Sequence, residues 1–169
     1  SMRAGVLLDT SYLITLVNKS RPNHSIASQY YRHMLEHQLP MFLSAIVASE
    51  LSMRQPITDF PLNNFRVLPF NITHGIEAAK IWNALGPRDE GDGRAVIRDD
   101  VKLMAQGERE SIPFILTEDA STLCKYCERL RASGAIKLRA VKLADGFDDC
   151  AFRLDGQAGL ELFIEGEEE

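Results

Sequence analysis

The chain has little with which to build a disulfide framework, a zinc finger or a membrane span. Only three of its 169 residues are cysteine, Cys124, Cys127 and Cys150, an odd number that fits a reducing compartment. The C-K-Y-C pair at Cys124 and Cys127 has no second pair and no nearby histidine to complete four zinc ligands. Inside a helical pattern, ordinary packing is the simpler reading of those two thiols. No apolar run approaches the length a bilayer demands, and no signal peptide is visible. There is no internal repeat, and only Glu167 to Glu169 is low in complexity. Ser1-Met2 reads as a tag-cleavage remnant ahead of the native start. A soluble, cytoplasmic protein without membrane attachment is the expectation.

What is present suits one globular domain: 45% apolar and 25% charged residues over a length that can bury a real core. The net charge of −5 is unevenly placed. From Leu143 onward nine Asp or Glu residues face only Arg153, so the first 142 residues carry a small positive balance. Between Leu123 and Lys142, six cations (Lys125, Arg129, Arg131, Lys137, Arg139, Lys142) stand against Glu128. That stretch can meet a phosphate backbone or can be a solvated helix face.

Short apolar runs alternate with helical periods. Strands are expected at Arg3 to Leu8, Pro40 to Leu43, Arg66 to Phe70, Ile112 to Leu116 and Ile136 to Leu143. Helices are expected from Asp9 to about Asn18, from a cap at Asn23 or Ser25, from Ser44 to about Met53, from a Thr73 cap to Leu85, after the Gly86 to Gly93 loop to about Glu108, and from Asp119 to Ala132 with Gly134 as its stop. Alternation of this kind implies parallel pairing in an α/β sandwich, with sites beyond the carboxyl ends of the strands.

Two strands end in Asp: V-L-L-D places Asp9 there, and F-I-L-T-E-D places Asp119 just past its strand. Helix capping explains either one alone. Two helical acids are harder to explain. Glu50 has Ile46 and Val47 before it and Leu51 after it; Asp100 has Val96, Ile97 and Val101 in the same places. At about 100° per residue both acids project from inside an apolar stripe, whereas Asp99 points toward its edge. Buried carboxylates are costly unless paired or bound to metal, and four at one crevice repel each other. A hard divalent cation relieves both penalties and suits phosphodiester hydrolysis.

The order Asp9 with Thr10-Ser11, then Glu50, then Asp100 before L-M-A, then T-E-D ending at Asp119 resembles the PIN-domain nucleases, over about Val6 to Val141. The resemblance implies a three-layer α/β/α sandwich with a central, mainly parallel five-stranded sheet. It implies an endoribonuclease dependent on Mg²⁺ or Mn²⁺, often the toxin of a VapC-like toxin–antitoxin pair. Asp9, Glu50, Asp100 and Asp119 become the metal-binding and catalytic set, with Ser11 and Thr117 as supporting or phosphate-touching hydroxyls. A metal-activated water then attacks RNA, without a His or Lys base, leaving a 5′-phosphate. Partners implied are RNA, an antitoxin that often places a basic residue in the acidic pocket, and a second copy in a homodimer.

Two features depart from the family. Many small toxins carry another Asp shortly after the fourth acid, where Ser121 and Thr122 stand here. An acidic extension over 146–169 follows the PIN-like domain at 3–145 and is read as an edge hairpin turning at Asp155-Gly156, or as a partner surface. The helical stripes Tyr30, Tyr31, Met34 and Ile76, Ala79, Trp82 are read as core before dimer surface. Two alternatives stay open: a non-catalytic PIN-fold RNA-binding or scaffold module, and a nuclease acting on DNA. The chain has no long arch-like insertion of the kind a flap nuclease carries.

Overall fold

In the computed structural model, residues 4–118 and 122–154 are described. Five short strands form one parallel sheet: β1 (Val6–Leu8), β2 (Met41–Ser44), β3 (Phe65–Leu68), β4 (Phe114–Thr117) and β5 (Arg139–Lys142). Their order is β3-β2-β1-β4-β5. Six helices complete the α/β/α sandwich: α1 (Thr10–Val17), α2 (His24–Glu36), α3 (Ala45–Arg54), α4 (Ile72–Leu85), α5 (Arg94–Arg109) and α6 (Leu123–Ala132).

β1 and β4 are buried at every residue, as continuous apolar runs in a covered parallel sheet should be. The edge strands β3 and β5 are less buried. From β1 the chain winds to β2 and β3 on one side, then returns to β4 and β5 on the other. The reversal falls between β1 and β4, and it opens a crevice beyond their carboxyl ends. Gly5 leads into β1 because a Cβ there would lie 2.7 Å from a Phe42 ring carbon.

Backbone chemistry trims the expected elements. Pro69 ends β3 at Leu68, and β4 starts after Pro113, because neither proline has an N–H for the ladder. β5 is shorter than its apolar run, since it pairs with only the four residues of β4. Asn71 rather than Thr73 caps α4, in a capping box in which His74 answers with its own side chain. Asn23 occupies the cap position of α2 without a side-chain capping bond. α6 begins at Leu123, not Asp119, and ends as expected before Gly134, whose φ is +80°.

The two apolar stripes part company. Tyr30 and Met34 are buried and Tyr31 half-buried, but Ile76 is 56% exposed and Ile72, one turn earlier, 82%. α4 buries His74, Ile81 and Leu85 instead, which turns Ile72, Ile76 and Ala79 outward. Cys124 and Cys127 are packed in the interior, where burial raises their thiols to about 12 and about 11; Cys127 donates to the Leu138 carbonyl. No helix among the described residues is long and apolar enough to cross a membrane.

Beyond β5 the chain turns back over the core rather than adding a strand before Leu154. Phe147 and Phe152 pack on Tyr30 at 4.9 and 5.4 Å between ring centroids. The Tyr30 hydroxyl donates to the Gly146 carbonyl and accepts from the Asp148 N–H. The Asp155-Gly156 turn and the rest of the acidic extension lie outside the described residues.

Candidate active site

β1 ends directly in Asp9, whose backbone N–H pairs with the Leu116 carbonyl of β4 at 2.9 Å. Asp9 stands at the N-cap of α1, yet its side chain makes no capping bond. Its Oδ2 instead accepts the hydroxyls of Ser11 and Thr117, each at 2.8 Å. Those two hydroxyls are themselves 3.0 Å apart, and Ser11 Oγ also accepts the Glu118 N–H at 3.1 Å. Ser11 and Thr117 therefore act together as a hydroxyl cradle joining the ends of β1 and β4.

The helical acids are held the same way. Thr10 donates to Glu50 Oε2 at 2.8 Å, and Thr122 donates to Asp100 Oδ2 at 2.7 Å. Asp100 is 9% exposed on α5, with Ile97 and Val101 buried beside it. Val96, expected in that apolar stripe, is 53% exposed, because Asp100 sits at the rim between core and crevice. Glu50 is half-buried on α3 between the buried Val47 and Leu51.

A buried bridge sets the two acid-bearing helices. Ser44 caps α3 by accepting the Ile46 N–H, and its hydroxyl donates to Gln106 Oε1 of α5 at 2.6 Å. The Gln106 amide donates in turn to the Pro69 carbonyl at 3.1 Å. Sequence reasoning missed Gln106, and it gave no role to Thr10 or Thr122. A glutamine inside the helical stripe of α5 was the one local signal for the bridge.

The electrostatics follow from this packing. Burial raises Asp9, partly offset by the Ser11 and Thr117 hydroxyls. Burial also raises Glu50, with the charges of Asp9 and Asp99 adding to it. Asp100 rises furthest, from 3.8 to about 7, chiefly through burial and then through Asp9, Glu50 and Asp99; the Thr122 bond opposes the rise. Asp9 thus acts on Glu50, and both act on Asp100, which places the three acids in one electrostatic neighbourhood. No Lys, Arg or His among the described residues forms an ion pair with Asp9, Glu50 or Asp100. Asp119 lies outside the described residues, one position beyond Glu118 at the end of β4.

This donor set is all oxygen and anionic, with no ion-paired cation among the described residues and only the Arg54 charge acting on Glu50 from a distance, which fits a hard divalent ion. The ligand atoms of Asp9, Glu50 and Asp100 do not all come within 4.8 Å of one another. The exposed trio Asp148, Asp149 and Cys150 is more tightly grouped, but it stands on the surface turn after β5.

The expected basic stretch is partly neutralised within the fold. Arg129 grips Asp89 through both guanidinium nitrogens, and Lys125 reaches Asp92 at 2.6 Å and Asp89 at 3.1 Å. These pairs tie the loop before α5 to the face of α6.

Known proteins resemble the chain at two levels. The family model described as PIN domain matches residues 6–128. Curated proteins give no match. The fold is similar to that of VapBC2 from Rickettsia felis bound to a DNA fragment from their promoter, at 13% identity, 80% of this chain, 97% of that chain and a TM-score of 0.56. It is similar to FitAcB from Neisseria gonorrhoeae, at 15% identity, 82% and 98% coverage and a TM-score of 0.57. It is also similar to Mycobacterium tuberculosis VapC20, a sarcin-ricin loop cleaving toxin, at 18% identity, 80% and 99% coverage and a TM-score of 0.51. At these identities the likeness establishes the fold.

Proposed function

This chain belongs to the PIN domain family, and from that premise we propose that it is a divalent-metal-dependent endoribonuclease, the toxin of a toxin–antitoxin pair. The observation that carries the reading is the gathering of Asp9, Glu50 and Asp100 at the sheet's switch point, where Asp9 acts on Glu50 and both act on Asp100, with no cation ion-paired to them among the described residues. Asp119 joins the set by its place in the sequence just past β4.

Asp9, Glu50, Asp100 and Asp119 would hold Mg²⁺ or Mn²⁺, which when bound neutralises charge on a phosphoryl oxygen and makes a coordinated water more acidic. The chain's own part is to present ionised oxygens in fixed positions. Ser11 and Thr117 hold Asp9, Thr10 holds Glu50, and Thr122 holds Asp100. Each of these hydroxyls stabilises the charged form against burial, so the acids release protons more easily than burial alone would allow.

The toxin reading draws on the likeness to VapBC2 and to the sarcin-ricin loop cleaving toxin. An antitoxin that inserts a basic side chain among the acids would supply the counter-charge the site lacks. The exposed Ile72 and Ile76 of α4 support a homodimer as the resting form. Purified protein is expected to cut RNA only with Mn²⁺ or Mg²⁺ present, and Asp9→Asn to reduce the rate by at least ~100-fold while keeping the fold. Single-stranded DNA belongs in the same assay, since the carboxylates do not read the 2′-hydroxyl. Identical product from wild type and Asp9→Asn would remove the proposal, and calorimetry without Mn²⁺ binding would favour a scaffold.

A further inference from the structure

An acid-only site must still hold a polyanion, and one cation is linked to it through two neighbouring residues. Arg21 lies in the turn between α1 and α2, and its Nη2 stands 2.5 Å from Glu118 Oε2. Glu118 is only 9% exposed, and its N–H donates to the Ser11 hydroxyl that binds Asp9. A continuous path of contacts thus runs from Arg21 through Glu118 and Ser11 to Asp9.

Among the described residues the ion pair uses one guanidinium nitrogen of Arg21 and leaves its other donors without a partner. Arg21 Nε in particular is shut away from water and makes no hydrogen bond. A guanidinium left half-satisfied beside a cleft is unusual, because its planar fork normally takes two acceptors together. The side chain as a whole is still 35% exposed, so an incoming ligand can reach it. The exposed part of the fork can take an anion with several oxygens, and a backbone phosphate supplies them.

We propose that Arg21 is the phosphate-binding residue of this site, held in place by Glu118 so that it grips an RNA phosphate next to the one being cut. The inference rests on the nuclease reading and adds to it a residue that the four acids do not imply. Glu118 has two opposed effects in this arrangement. It orients the guanidinium, and it competes with phosphate for the same donors.

That opposition separates phosphate binding from a merely structural ion pair. The probe is a fluorescein-labelled single-stranded RNA of randomised sequence, titrated against the uncleaving Asp9→Asn protein over a range of salt. Arg21→Met in that background is expected to weaken binding about tenfold and to flatten the slope of log K against log salt by about 0.7, the loss of one single-strand phosphate contact. Arg21→Lys should keep part of the affinity. Glu118→Gln should bind the RNA as tightly as its parent or more tightly. A structural pair gives a different pattern: Arg21→Met and Glu118→Gln lower Tm together and weaken binding together, with the salt slope unchanged, and that result overturns the proposal. A folded Arg21→Met protein with the parent's affinity and slope overturns it equally. RNA cleavage by the wild-type protein tests the nuclease reading separately, so an unchanged slope in a protein that does cleave removes only the role of Arg21.

Discussion

Asp9, Glu50 and Asp100 each accept a threonine hydroxyl from another element, which opposes the rise that burial imposes on the acid. Asp100 is raised from 3.8 to about 7 by burial and by its acidic neighbours, and Asp9 and Glu50 move in the same direction. Between those two values the unfolded chain has lost a proton that the folded chain still holds. Stability of the metal-free protein must therefore fall as pH rises through that window and level off above about 7. Urea midpoints measured in chelator should show this decline, and Asp100→Asn should flatten it and raise stability at neutral pH. Thr122→Val removes the bond that favours the Asp100 carboxylate. Its pH–rate profile should move to higher pH with KM little changed, whereas a uniform loss of rate at every pH would assign Thr122 a different role.

Among the elements, α3 and α5 matter most because each carries one acid and neither can be placed by its own periodicity. The Ser44–Gln106 bond closes the gap between them inside the core, and the Gln106 amide adds the loop after β3. Gln106→Leu leaves the Ser44 hydroxyl without its acceptor in a buried setting and is expected to cost about 1–3 kcal/mol in denaturant unfolding. Adding Ser44→Ala to that variant should cost less than it does in the wild-type background, because the two side chains are partners. Activity should fall further than stability does, since the loss lets Glu50 and Asp100 shift relative to each other. The strands and helices themselves were legible: the apolar runs marked all five strands, and Gly134 marked the end of α6. Their ends were less so where a proline truncated a ladder, as at Pro69 and Pro113. The α4 stripe misled at Ile76 and Ala79, which the helix turns outward, while Trp82 packs partly buried against the core as read.

For the molecule as a whole, the parallel sheet and its switch point bring the segments that carry Asp9, Glu50 and Asp100 together. A site of mutually repelling acids destabilises the metal-free fold, so a bound cation should restore stability as well as activity. At Mn²⁺ concentrations about one hundred times Kd the gain is about 2.7 kcal/mol, or roughly 5–10 °C in Tm for a domain of this size. Differential scanning calorimetry should record that rise for wild type and a much smaller one for Asp9→Asn. An equal rise in both proteins would place the cation elsewhere, with the surface trio Asp148, Asp149 and Cys150 the next place to look.

The sequence by itself determined the strand–helix alternation, the burial of β1 and β4, and the presence of acids at strand ends and in helical stripes. Those features are local: an apolar run of a few residues or an acid one turn from two apolar neighbours can be read without knowing the fold. The V-L-L-D-T-S segment even placed Asp9 beside the Ser11 hydroxyl that binds it. Only the tertiary structure decided which groups meet. Thr10 holds Glu50 across 40 positions, Gln106 reaches Ser44 across 62, and Arg21 finds Glu118 across 97. Hydrophobic burial follows composition and period, but a hydrogen bond needs two groups within about 3 Å, and strand order and helix rotation decide which groups those are.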